Sequence, residues 1–148
     1  MSARQGRPDF FDYYVFASCE VEPKDEEKQD GVYLLGAAEA SYLKQFFDPL
    51  YDKAGIGLST SDDEVISGRE ALSALADAVD AAIRDVERRT AEWPVTIGYT
   101  FEPFQEVRGA PIVKQASRFR LLEFLNAVAG IVDRASASNG HVHFGGGS

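Results

Sequence analysis

Along positions 10–21 the chain alternates. Phe11, Tyr13, Val15, Ala17, Cys19 and Val21 are apolar, and Phe10, Asp12, Tyr14, Phe16, Ser18 and Glu20 between them are mixed. A period of two sends one set of side chains to a buried face of a strand and the other set to the opposite face. Positions 32–35 carry a second short apolar run that predicts a strand, paired antiparallel with the first. Between them lie Pro23 and Lys24-Asp25-Glu26-Glu27-Lys28-Gln29-Asp30, which read as a solvated loop with an acidic excess.

The period then lengthens. Leu43, Phe46 and Phe47 fall on one side of a helix predicted over 37–47. Asp48-Pro49 punctuates it, as the cap and first residue of a further turn through Tyr51. Positions 55–67, rich in Gly, Ser, Thr and Asp, read as a loop. Ser67-Gly68-Arg69-Glu70 has capping-box spacing, in which hydroxyl and carboxylate satisfy free backbone N–H groups. Leu72, Leu75, Val79, Ile83 and Val86 follow at intervals of three and four, the stripe of a long amphipathic helix. Pro94 ends it near Trp93, because the residue before a proline is driven from the helical region.

Val95, Ile97, Tyr99 and Phe101 alternate with Thr96, Gly98 and Thr100, which predicts a third strand. Positions 102–111, with Pro103 and Gly109, read as a loop. Over 115–137, Leu121, Leu122, Phe124, Leu125, Val128, Ile131 and Val132 cover more than half of a helix circumference, so this helix is expected at the centre. Asn139-Gly140 supplies a left-handed stop, and His141-Val142-His143-Phe144 forms the last strand. Positions 145–148 read as a flexible Gly-rich tail and 1–8 as an N-terminal extension.

The expected fold is therefore a single α+β domain over 1–148, in the order ββααβαβ. A small mixed or antiparallel sheet would carry two long helices on one face; in the mixed form its last strand–helix–strand unit is parallel and right-handed. Its other face would then display Tyr14, Phe16, Ser18, Thr96, Thr100, His141 and His143. Exposed aromatic and hydroxyl side chains on a sheet suit protein binding.

Charge narrows the partner. Fifteen basic residues stand against 24 acidic ones, a net charge of −9. That disfavours nucleic acid, whose binding needs cations to displace phosphate counterions, and it disfavours an anionic membrane. It suits a basic protein, met by Glu20, Glu22, Asp25, Glu26 and Glu27. The single cysteine, Cys19, excludes an intrachain disulfide and reads as a small core residue. Arg4 and Arg7 precede no apolar leader, and no run is long enough to span a bilayer, so a cytoplasmic location is expected.

Candidate chemistry adds little. His141 and His143, two apart on a strand, point to one side and suit one metal, but no further ligand stands beside them. Asp62-Asp63-Glu64 lacks the spacing of a calcium loop and reads as a solvated segment before a helix. Gly55-Ile56-Gly57 lacks the third glycine of a dinucleotide fingerprint. Arg84, Arg88 and Arg89 complement a helix dipole. No catalytic residue, metal ligand or cofactor is assigned.

Three segments carry a resemblance: Trp93-Pro94-Val95-Thr96-Ile97-Gly98-Tyr99, the helix with Arg118 and Leu121-Leu122-Glu123-Phe124-Leu125, and Gly140-His141-Val142-His143-Phe144-Gly145-Gly146. In layout this C-terminal half resembles the small immunity proteins that bacteria encode beside polymorphic toxins. The likeness extends over about a third of the chain and transfers no functional residue. It implies a cytoplasmic, non-enzymatic inhibitor that neutralises one basic toxin by binding it. The alternatives are a small enzyme or metal-binding protein using His141 and His143, and a homo-oligomeric structural protein, such as a homodimer, that buries the sheet face against its own copy.

Overall fold

A computed structural model of the protein describes residues 12–18, 30–34, 36–54, 63–100 and 109–147; for 12–18, 30–33, 48, 50–54, 63–65 and 143–147 only the backbone is described. The fold is α+β. Its elements are β1 (Asp12–Ser18), β2 (Asp30–Leu34), α1 (Ala37–Ala54), β3 (Asp63–Ser67), α2 (Arg69–Glu87), β4 (Glu92–Tyr99), β5 (Pro111–Ser117), α3 (Arg118–Ala137) and β6 (His141–Gly147).

Two strands depart from the expected order. β3 occupies the end of the stretch read as a loop; it has only Val65 and Ile66 between acids and serine, too few for a period to emerge. Pairing with β6 supplies what local sequence does not, with Val65 opposite His143 and Ile66 opposite Val142. β5 takes residues assigned to a loop and to the start of the last helix. It is held by pairing with β4, from Trp93 opposite Ala116 to Tyr99 opposite Pro111.

The strands form two sheets where one was expected: among the described residues β2-β1-β6-β3 form a four-stranded sheet and β4-β5 a separate ribbon. Every pairing among them is antiparallel, one of the two arrangements expected, and β1 pairs with β2 as expected. The anticipated parallel unit therefore does not form, because β4 pairs with β5 and leaves β6 to lie between β1 and β3. Gly145 to Gly147, read as a tail, belong to β6 opposite Tyr14, Tyr13 and Asp12.

The three helices expected all form among the described residues, and the first is nearly as long as the others. α1 runs on through Pro49, whose ring is exposed, instead of stopping before it. α2 ends at Glu87, where Arg88 and Arg89 donate back to Asp85 and Val86 at 3.2 and 3.0 Å and tighten the last turn. The residues up to Trp93 that were assigned to it supply the turn and the start of β4. The capping box does not form either: Ser67 closes β3, Gly68 takes the cap position, and no side chain caps α2. At α3 the cap is Ser117, whose Oγ accepts from the Arg120 N–H at 3.2 Å.

The core follows the helical stripes. α2 buries Leu72, Leu75, Val79, Ala82 and Val86; Ala82 replaces the half-buried Ile83 in the stripe. α3 buries Leu121, Phe124, Leu125, Val128, Ile131, Val132 and Ala135. It packs on β1, β2 and β6 and against α2, which makes it the central helix. Leu34, Ile66 and Val142 supply the sheet's side of this core. Each such side chain, fully buried, is worth roughly 1.5–3 kcal/mol. α3 ends where expected: Asn139 adopts φ 54° and the Gly140 N–H reaches the Ala135 carbonyl at 2.8 Å.

Candidate functional site

Along the β4–β5 ribbon only the base is a fully buried rung. Trp93 and Ala116, paired there, are enclosed. α1 packs on both strands at this end. The Tyr42 ring meets Trp93 edge-on at 5.2 Å between centroids. The Arg89 guanidinium lies 5.0 Å from the centre of each ring. The Tyr42 hydroxyl donates to Asp85 Oδ2, and Arg89 Nε donates to the same oxygen at 3.0 Å.

Charge and burial explain this cluster. Burial, and then the hydrogen bond to Asp85, push the Tyr42 phenol well above its usual range. The donated Tyr42 hydroxyl, joined by Arg89, holds the Asp85 carboxyl below its usual range. The cluster so formed is neutral at Tyr42 and paired at Asp85. It fastens α1, the end of α2 and the foot of β4.

A second set of contacts fixes the other foot. Glu39, buried in the first turn of α1, accepts from the Ser117 N–H at 3.3 Å. The Arg118 N–H donates to the Ala91 carbonyl at 3.0 Å, and Arg118 Nη2 to the Glu87 carbonyl at 3.3 Å. Gly36 beside Glu39 has φ 150°, and a Cβ there would run into the Glu39 carboxylate.

Beyond its base one face of the ribbon is exposed, while Val95 and Ile97 are half-buried against the core. A bulge lies between Thr96 and Gly98. The register puts Pro94, Thr96, Val113 and Gln115 on one face, and Tyr99 and Pro111 join them past the bulge. All six are exposed; Tyr99 retains 46% and Val113 49% of their accessible surface, large values for an aromatic and a β-branched residue. Across 93–99 and 111–117 the one charged residue is Lys114, in a chain with 39 charged residues (15 basic, 24 acidic). The far end is closed by Thr100 N–H to the Ala110 carbonyl at 2.8 Å and Gly109 N–H to the Thr100 carbonyl at 3.0 Å.

Two clefts lie elsewhere. One of about 440 Å³ beside the start of α3 is lined by Ala91, Arg118, Leu122, Glu123, Asn126 and the exposed Phe119. The other, about 430 Å³, lies between the start of α2 and the end of α3, with Ser67, Arg69, Ser73, Asp133, Ser136 and Asn139 among its walls.

The residues expected on one open sheet face are divided. Thr96 and Thr100 are exposed, but on the ribbon and at its end. His141 is buried at the start of β6, opposite Ser18 and Ser67. The backbone register brings Phe16, His143 and Val65 to one rung of the four-stranded sheet, and Tyr14 to the rung of Gly145. The side chains of Tyr14, Phe16 and His143, and all of Cys19, Glu20, Glu22, Asp25, Glu26 and Glu27, lie outside the described residues. Among the described residues no three His, Cys, Asp or Glu side chains gather to hold a metal, and no helix is long and apolar enough to cross a membrane.

Sequence reasoning missed Val113 and Pro111. A signal existed: Ile112-Val113 is a β-branched pair just after Gly109 and Pro111, a short distance beyond an alternating strand. Comparison with protein-family models, curated proteins and solved structures finds no match for the chain.

Proposed function

We propose that this chain is a non-enzymatic protein-binding domain of inhibitor or immunity type, which docks a basic partner protein through the outer face of the β4–β5 ribbon. The observation that carries this reading is the exposed, almost uncharged strip of Pro94, Thr96, Tyr99, Pro111 and Val113 on a chain of net charge −9. Apolar surface left in water on an otherwise highly charged chain marks an interaction site. The two features divide the work. Net negative charge draws a basic partner in and repels a second copy. Tyr99 and Val113 then supply the apolar contact that holds it. Six residues are fewer than the 20–30 or so per side of a standard interface, so the ribbon is its centre and acidic surface its rim.

Capture from host lysate at low and moderate salt, with the wild-type chain and Val113→Lys side by side, tests this. The reading expects one basic protein whose capture falls with salt and is lost in the variant, and whose own activity drops when the wild-type chain is added. Capture that ignores the ribbon substitution, or recovery of the chain bound only to itself, contradicts it.

A further inference from the structure

The two edges of the ribbon are unlike. β4 carries Pro94, which has no N–H, and a bulge between Thr96 and Gly98. Both features blunt an edge against further pairing. β5 begins on Pro111, which likewise has no N–H, but from Ile112 to Gln115 it has neither proline nor bulge, and all four residues there are exposed. A proline is tolerated in a paired strand where its missing N–H would point away from the ladder. Pro94 is therefore at an outward position, and Gln115 opposite it turns its own N–H and C=O away from β4. Val113, opposite Thr96 and two residues along, does the same. Among the described residues no other strand joins this edge, since the ribbon has two strands only.

We propose that β5 accepts an extended segment of the partner as a third strand, bonded to the main chain of Val113 and Gln115. This rests on the protein-binding reading above and specifies how binding occurs. Main-chain bonds would supply affinity, while alternate side chains of the added strand would extend the strip of Tyr99 and Val113. Charge selects the occupant. A second copy would bring two chains of −9 together and set the two Lys114 side chains beside each other across the new pairing. A strand from a basic protein meets only the single Lys114 locally and is attracted by the whole chain.

The probe is a synthetic peptide of about ten residues, alternating Val and Thr with Lys at both ends, and a copy N-methylated at every peptide nitrogen. Each is titrated into the isotopically labelled full chain and followed by NMR. The expected result is shifts centred on Ile112 to Gln115, slower exchange of the Val113 and Gln115 amides, and at least about tenfold weaker binding of the methylated copy. Equal binding of the two peptides, shifts centred on the four-stranded sheet, or no binding at millimolar peptide overturns the proposal.

Gln115→Pro separates this proposal from the broader reading. It removes an outward N–H, so the variant is expected to keep its melting temperature while losing capture of the natural partner. Capture lost by Tyr99→Ser but kept by Gln115→Pro overturns strand addition and leaves the protein-binding reading standing. Capture kept by both overturns the two together.

Discussion

α3 and β5 meet at Ser117 and Arg118, yet they are built on opposite terms. α3 buries seven residues along one stripe, from Leu121 to Ala135. β5 exposes five residues in succession before Ala116 turns inward. Helix α3 is held by what it covers, and the ribbon chiefly at its foot, by Trp93, Ala116, Glu39 and the Tyr42–Asp85–Arg89 cluster, with Val95 and Ile97 half-buried against the core beyond it. A periodic pattern records burial. Where nothing is buried no period is written, and a contiguous apolar strip that stays in water, unlike a lone exposed residue, points to use beyond stability.

The contrast breaks most visibly in the core. Leu125→Ala should cost about 2–5 kcal/mol, read as a lower urea midpoint, because Leu125 is fully buried. Binding by the molecules that remain folded should be unchanged.

Gly109→Ala attacks the ribbon's far end. A Cβ at Gly109 would collide with the Thr100 hydroxyl and carbonyl oxygens. The expected stability loss is smaller, about 1–3 kcal/mol, while partner capture should fall further than for Leu125→Ala at matched folded fraction. Equal effects on binding would mean that ribbon and core do not have separate roles.

Tyr42→Phe tests the clamp. At neutral pH the lost hydrogen bond should cost about 1 kcal/mol. The wild-type phenol titrates higher when folded than its ordinary 10.0. Its contribution is therefore whole below pH 10.0 and fades as pH rises through the folded value. Urea melts at about pH 9 and about pH 11 should show a smaller alkaline loss for Tyr42→Phe than for the wild type.

Asp85→Asn should give the smallest effect, since the carboxylate is partly exposed and its pair with Arg89 is screened. Asp85 titrates below its ordinary 3.8, so its contribution is present above that pH and is lost as pH falls through the folded value. Acid melts of the variant should lack that share of the decline.

What the sequence disclosed follows the same division. Its stripes placed α2 and α3, and Asn139 marked the end of α3. The alternation around Tyr13 and Val15 placed β1. β3 and β5 were hidden because their pairing comes from β6 and β4, distant in sequence or set apart by a loop, and their own residues carry little pattern. That hidden pairing is why Thr96 and Thr100 were set on one face with His141 and His143, when β4 in fact belongs to a separate ribbon. The clamp was equally silent: Tyr42, Asp85 and Trp93 are brought together by helix packing, and no spacing announces them.

Amide hydrogen exchange on the free chain and on its captured partner complex separates the ribbon from the rest of the molecule as the docking surface. Docking through the ribbon gives new protection over 93–99 and 111–117, greatest at Val113 and Gln115, with α2 and α3 unchanged. Protection confined to β1 and β6, with the ribbon exchanging as fast as in the free chain, would contradict it.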